Sequence, residues 1–263
     1  MSMESRSTPK RIIPYGRHCL DHDDMKSVGK TLSSDWLTQG PVGVKFEERL
    51  AKYCGARYAL TASSGTSALH LAYLSAGIGK GDEVITTPNT FVATTNMLLV
   101  VGAKPVFCDI RLDTYNIDET KIEALITKKT KAIVPVHFAG HPCNMKEIMA
   151  IAKKYHLLVI EDACHALGAT YRGKHVGSIG DITVFSFHPV KSITTGEGGA
   201  IVTGNKKYAE KARLLRSHGI TKDKNGFNVM ESLGFNYRLT DIQSSLGVSQ
   251  LGKLKGFITK RRK

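Results

Sequence analysis

Apolar residues in the first third of this chain fall at helical spacing, and further on they gather into short runs bounded by turn residues. Asp21 stands where an N-cap belongs, ahead of a helix expected to run to about Ser34. Gly40-Pro41 then breaks the chain before a second amphipathic helix over 44–53. From residue 57 onward, β-branched and aliphatic runs predict strands at 57–62, 83–86, 105–109, 132–136, 157–161, 182–186 and 200–203. Helical patterns fall between most of them, at 66–76, 91–101, 118–126 and 144–155. A last pattern starts at Leu239, runs to about Leu254 and continues into basic residues. Strands alternating with helices call for an α/β fold: a mainly parallel seven-stranded sheet between helices, with ligand sites at the carboxyl ends of strands. Residues 1–14 read as a mobile lead and 15–250 as one large domain. Residues 251–263 read as the basic start of a connection to a further domain.

Composition adds limits more than chemistry. At 263 residues the chain can bury a substantial core, and 41% hydrophobic with 23% charged residues is ordinary for a globular protein. The N-terminus lacks the apolar stretch of a signal peptide, and no apolar run approaches the ~20 residues that span a bilayer, so a cytoplasmic location is expected. Five cysteines, odd in number and without a C-x-x-C pair, argue against disulfides and structural zinc. A net charge of +14 suits an anionic partner. No RNP, zinc-finger or helix-turn-helix pattern accompanies it, so neither nucleic acid nor membrane is expected as that partner.

Three stretches carry candidate chemistry, each at the end of a predicted strand. Lys191 follows Ser186-Phe187-His188-Pro189-Val190 and precedes the glycine-rich turn Gly196-Glu197-Gly198-Gly199. A lysine in such an apolar, hydroxyl-rich setting can lose its charge and become a nucleophile toward carbonyls; the alternative is a surface lysine beside a turn. Ser63-Ser64-Gly65-Thr66-Ser67-Ala68 opens a helix, where free N–H groups and the helix dipole favour an anion, or where a serine simply caps the helix. Asp162, after Leu158-Val159-Ile160-Glu161, is costly to bury without a cationic partner. A structural salt bridge would serve, as would the protonated nitrogen of a pyridine cofactor. His165, three residues on, is either a core histidine or a cofactor contact.

Together these pieces resemble the fold type I enzymes that use pyridoxal 5′-phosphate. Thr38-Gln39-Gly40-Pro41, Glu161-Asp162-Ala163-Cys164-His165-Ala166-Leu167-Gly168, Ser186 to Lys191, Glu197-Gly198-Gly199 and Gly234-Phe235-Asn236-Tyr237-Arg238-Leu239 are similar to the DegT/DnrJ/EryC1/StrS sugar aminotransferases. Within that family, Leu37-Thr38-Gln39-Gly40, the run Thr86 to Asn96 and Arg216-Ser217-His218-Gly219 most resemble the members of pseudaminic acid biosynthesis. Those members aminate UDP-linked 4-keto-6-deoxy-N-acetylhexosamines with L-glutamate as donor. The resemblance implies that Lys191 bonds the cofactor and shuttles a proton, and that Asp162 keeps the ring nitrogen protonated. It implies further that Phe91 stacks on the ring, that His165 lies near its phenolic oxygen, and that Gly65, Thr66 and Ser186 hold the phosphate. Asn236 matches the position that reaches the neighbouring subunit's phosphate, which implies a homodimer. Tyr15 and Asp35-Trp36-Leu37-Thr38 match the part bordering the nucleotide-sugar, and Gly65, Ser186 and Asn236 lie at its edge. Family members continue into a small C-terminal domain that is absent from this sequence, so a cofactor-binding chain without turnover is one alternative. Another is an aminotransferase for a different nucleotide-linked keto sugar. Dehydratase relatives replace the lysine with histidine, whereas Lys191 is present.

Overall fold

The computed structural model describes residues 16–262, so the reading of residues 1–14 and the substrate position Tyr15 lie outside the described residues. Two helices open the chain, α1 (His22–Leu32) and α2 (Pro41–Cys54). The alternating part follows: β1 (Tyr58–Ala62), α3 (Gly65–Ser75), β2 (Glu83–Thr86), α4 (Ala93–Val100), β3 (Lys104–Phe107), β4 (Thr130–Ile133), α5 (Met145–Tyr155) and β5 (Leu158–Asp162). A short hairpin of β6 (Thr170–Tyr171) and β7 (Lys174–His175) precedes β8 (Ile182–Ser186) and β9 (Gly199–Thr203). Then come α6 (Lys206–Arg216), a second hairpin of β10 (Ile220–Lys222) and β11 (Asn228–Met230), and the long α7 (Asp241–Arg261).

The main sheet has seven strands in the order β1-β9-β8-β5-β4-β2-β3. Only β9 runs against its neighbours, pairing antiparallel with both β1 and β8, while β8, β5, β4, β2 and β3 pair in parallel. Successive strand residues face opposite sides, so β-branched runs feed two cores at once. Leu60, Val84, Ile160, Val184 and Ile201 pack with α3, α4 and α6 through Leu69, Tyr73, Leu98 and Leu215. On the other face Phe185, Ala200 and Val202 meet Phe46 and Leu50 of α2 and Leu254 of α7, and Ile85, Ile133 and Val159 meet Ile148 of α5. Each such fully buried side chain contributes about 1.5–3 kcal/mol. Where α2 crosses α7, Gly247 leaves room for the Phe46 ring, since a Cβ there would lie 2.5 Å from it.

The helices differ from the sequence-based expectation in two places, and the short hairpins β6–β7 and β10–β11 have no counterpart in it. Residues 118–126 form two single 3-10 turns, Glu119–Lys121 and Glu123–Leu125, rather than an α-helix. Asp118 turns its carboxylate back onto the Thr120 N–H and hydroxyl, and Ile126 is already extended. Helix α6 has no counterpart in the strand-and-helix pattern, because its buried face is carried by Ala209, Ala212 and Leu215 amid lysines and arginines. The last helix runs unbroken through residue 250 to Arg261, with Leu251 and Leu254 buried. Its basic face is partly used: Lys253 bonds Asp21 and Asp24 of the α1 entrance. Among the described residues no helix is long and apolar enough to cross a membrane.

Candidate active site

Strand register brings the carboxyl ends of β1, β5 and β8 to one edge of the sheet. Ala62 and Ser186 both stand opposite Gly199, and Asp162 stands opposite Val184, two residues before Ser186. At this edge the chain leaves β1 through Ser63 and Ser64 into α3. Ser64 caps that helix in a reciprocal box with Ser67, its hydroxyl accepting from the Ser67 N–H at 3.0 Å while Ser67 Oγ accepts from the Ser64 N–H at 2.9 Å. The N–H groups of Gly65 and Thr66 take no partner among the described residues, as befits the first turn of a helix. Gly65 is needed there: a Cβ would lie 2.9 Å from the Ser186 Cβ and 3.4 Å from the Cys164 sulfur. Ser186, 8% exposed, therefore faces the open helix terminus. The cap reading and the anion-site reading of this turn hold together, since Ser64 serves the Ser67 N–H and leaves two others free.

Asp162 ends β5 only 5% exposed, and both of its oxygens are engaged. Thr94 donates its hydroxyl to Oδ2 at 2.6 Å and the Cys164 N–H donates to Oδ1 at 3.1 Å. Among the described residues Asp162 forms no salt bridge, so the purely structural reading has no cation to rest on. Lys191 lies on the loop from β8 to β9. That loop is held by the Phe187 N–H to the Gly198 carbonyl at 2.8 Å, the Thr195 N–H to the Phe187 carbonyl at 3.0 Å, and Gln243 Nε2 to the Glu197 carbonyl at 2.9 Å. Half-burial lowers the pKa of the Lys191 amine below its ordinary 10.5, with Cys164 and Asp162 partly opposing the shift. Burial, then the field of Lys191, lowers His165, and Asp162 opposes. Burial first and Asp162 second push the Cys164 thiol well up, so it stays protonated and does not compete as a nucleophile.

Gly65, Thr66, Asp162, His165, Ser186 and Lys191 thus gather at one edge. Phe91 lies just before α4, 73% exposed, with its carbonyl accepting from the Thr94 N–H. Asp35, Trp36, Leu37 and Thr38 are exposed and tied to the start of α7, where Thr38 bridges Thr240 and the Leu37 carbonyl accepts from the Asp241 N–H. Asn236 is exposed, on a segment fixed by the Tyr237 carbonyl accepting from the Ser63 N–H and by Phe235 stacked on Tyr237. Sequence reasoning assigns no role to four side chains that set this geometry. Thr94 orients Asp162; its only sequence signal is that it shares a helical face with Phe91. Asp241 accepts from the Gly40 and Val42 N–H groups and caps α2, whose own N-cap glycine has no side chain to do so. His137 and Glu161, both fully buried and 2.9 Å apart, sit behind Asp162. A separate cleft of about 730 Å³ lies far along the chain's strands, at their amino ends, lined by Lys80, Lys128, Lys129 and Tyr155. It contains none of these groups.

A strand-end acid, a half-buried lysine and an open helix terminus on a seven-stranded sheet with one reversed strand are the layout of fold type I aminotransferases that depend on pyridoxal phosphate. The chain belongs to the DegT/DnrJ/EryC1/StrS aminotransferase family, whose model matches residues 18–263. It is 48% identical over 253 residues to a UDP-4-amino-4,6-dideoxy-N-acetyl-beta-L-altrosamine transaminase of Campylobacter jejuni, covering 95% of this chain and 67% of that one. Among solved structures it superposes on Helicobacter pylori PseC, an aminotransferase of pseudaminic acid biosynthesis, with a TM-score of 0.91 and 44% identity, covering 95% and 67% of the two chains. A sugar aminotransferase of Streptococcus pneumoniae in its PMP form gives 0.92 at 32% identity, covering 95% and 70%. The chain therefore spans about two thirds of the length of the relatives it matches.

Proposed function

We propose that this chain acts in a pyridoxal 5′-phosphate-dependent transfer of an amino group from L-glutamate to the C4 keto group of a UDP-linked 4-keto-6-deoxy-N-acetylhexosamine, on a route toward pseudaminic acid. The observation that carries the reading is the convergence of Asp162, Lys191 and the unpartnered Gly65 and Thr66 N–H groups at one sheet edge. The residues fit the cofactor. Lacking a Cβ that would crowd Ser186, Gly65 leaves its own and the Thr66 N–H groups open to an anion, with the Ser186 hydroxyl beside them. When bound, the cofactor supplies an electron sink that makes the carbon–hydrogen bond next to the amine acidic.

The protein's own groups do the rest. The Asp162 carboxylate, oriented by two donors, would accept a hydrogen bond from the protonated ring nitrogen and so keep the proton on that nitrogen. Lys191 Nζ, whose pKa burial lowers, would hold the cofactor at its aldehyde carbon, the aldehyde oxygen leaving as water, and would serve as the base that moves the proton at the reacting carbon. His165, kept neutral by burial, is a donor or acceptor near the phenolic oxygen, and Phe91 covers a ring face. Asp35, Trp36, Leu37, Thr38 and Tyr15 border the nucleotide-sugar. A homodimer completes the site, with Asn236 reaching the partner's cofactor phosphate. The exposed apolar face of α4 and the β3 edge, formed by Val92, Leu99, Val100 and Phe107, supports such an assembly.

The reading is tested by loading the protein with pyridoxal 5′-phosphate and adding L-glutamate without sugar. Loss of the aldehyde-form absorbance with one equivalent of 2-oxoglutarate is the expected result. UDP-4-keto-6-deoxy-N-acetylhexosamine should then restore that absorbance. Loss of absorbance with no oxo acid, or equal restoration by a GDP-linked keto sugar, would contradict the reaction or the substrate respectively.

A further inference from the structure

Of the two donors to the Asp162 carboxylate, Thr94 makes the shorter contact. Its side chain is fully buried, and Oγ1 lies 2.6 Å from Asp162 Oδ2 and 2.8 Å from the Thr90 hydroxyl. A threonine hydroxyl has one proton. Because an ionised carboxylate can only accept, that proton goes to Asp162, and the contact with Thr90 must run the other way, from the Thr90 proton to the Thr94 oxygen. The direction of the chain is thus fixed: Thr90 to Thr94 to Asp162. Thr94 is itself held in place, because the buried Tyr73 of α3 donates to its carbonyl at 2.9 Å. The same α3 offers the anion cradle at its first turn, so one helix fixes both the cradle and the group that aims the acid.

We propose that Thr94 is the positioning residue for Asp162, its hydroxyl fed by Thr90 and fixing which carboxylate lone pairs face the ring nitrogen. The proposal rests on the cofactor reading given above. Cys164 N–H holds Oδ1 and Thr94 holds Oδ2, so two donors on two oxygens stop the carboxylate from rotating about its Cβ–Cγ bond. Without the Thr94 hydroxyl, Oδ2 loses its protein donor and the carboxylate, held by the Cys164 N–H at Oδ1 alone, is free to rotate. A chain of donors in a dry site also strengthens each member, so Thr90 contributes through Thr94 without touching Asp162.

The test compares wild type with Thr94→Val, Thr94→Ser and Thr90→Val by titrating pyridoxal 5′-phosphate into the cofactor-free protein and by following the absorbance of the bound cofactor against pH. Thr94→Val, close in shape to threonine, is expected to weaken binding roughly tenfold or more and to shift the pH profile, since a hydrogen bond to a charged group is lost. Thr94→Ser should recover both. Thr90→Val sits on a half-exposed loop and keeps the fold even if Thr94→Val does not; it should weaken binding roughly threefold. A merely structural threonine would lower the melting temperature and leave the pH profile in place. Wild-type affinity and profile in a folded Thr94→Val, or in Thr90→Val, would overturn the proposal while the cofactor reading stood. No uptake by the wild type would sink both.

Discussion

Burial acts in opposite ways on the two residues at the centre of the site. It lowers the pKa of the Lys191 amine, which favours the free amine that carbonyl chemistry needs, and it dries the surroundings of Asp162, where, on the proposed function, a charge facing a ring nitrogen would be felt most strongly. The carboxylate keeps its orientation because Thr94 and Cys164 donate to it. Asp162→Asn presents an amide that preserves shape and loses the charge. It is expected to retain a fraction of cofactor binding and to slow the half-reaction with glutamate by roughly 100-fold or more, measured by single-turnover absorbance. A rate near that of the wild type would mean that another group supplies the charge. Both residues were legible in the sequence, since an acid after an apolar run and a lysine beside a glycine-rich turn stand out along the chain. Thr94 was not, because its role depends on α4 folding back over the end of β5.

Among the elements, β5 is the one whose end must be placed most closely, and a buried pair does this from behind. The His137 N–H donates to the Asp162 carbonyl and the Asp162 N–H to the Pro135 carbonyl, locking the segment after β4 against β5. The Cys143 N–H donates to His137 Nδ1, so the ring proton sits on Nε2 and goes to Glu161. Glu161 also accepts from the Gly180 N–H and the Thr183 hydroxyl. Burial alone would push its carboxyl up, but these donors, His137 first, bring it below its ordinary 4.5. A folded-state value below the unfolded one means stability that is present above pH 4.5 and lost as pH falls through the lowered value. Glu161→Gln sets an amide N–H against the His137 Nε2 proton and should cost roughly 1–3 kcal/mol at neutral pH. That deficit should shrink below about pH 4.5 in urea unfolding, and a deficit independent of pH would contradict this account. The strands 83–86 and 182–186 matched the sequence pattern to the residue, since uninterrupted β-branched runs leave little choice of boundary. Helix α6 escaped it, because two alanines and one leucine give too weak an apolar stripe, and the capping of α2 by Asp241 joins residues about 200 apart that no local pattern connects.

In the whole molecule, the sheet collects Gly65, Thr66, Asp162, His165, Ser186 and Lys191 at its carboxyl edge and leaves an apolar face along α4 and β3. Phe91 joins that face to the site, since it is exposed at the start of α4 three residues before Thr94. A second copy docking there would bury Leu99, Val100 and Phe107 together with the unpaired edge of β3. The wild type is therefore expected to sediment as a dimer, and Leu99→Glu with Val100→Glu as a folded monomer. A monomeric wild type, or a double variant that still dimerises, would move the interface elsewhere. Whether this edge is built around one lysine can be read across all lysines at once. The protein is mixed with pyridoxal 5′-phosphate at neutral pH, reduced with borohydride and mapped by peptide mass. The pyridoxyl label is expected on Lys191, whose amine burial lowers below the ordinary lysine value of 10.5. A label spread over surface lysines such as Lys174 and Lys206, with residue 191 unmodified, would contradict it.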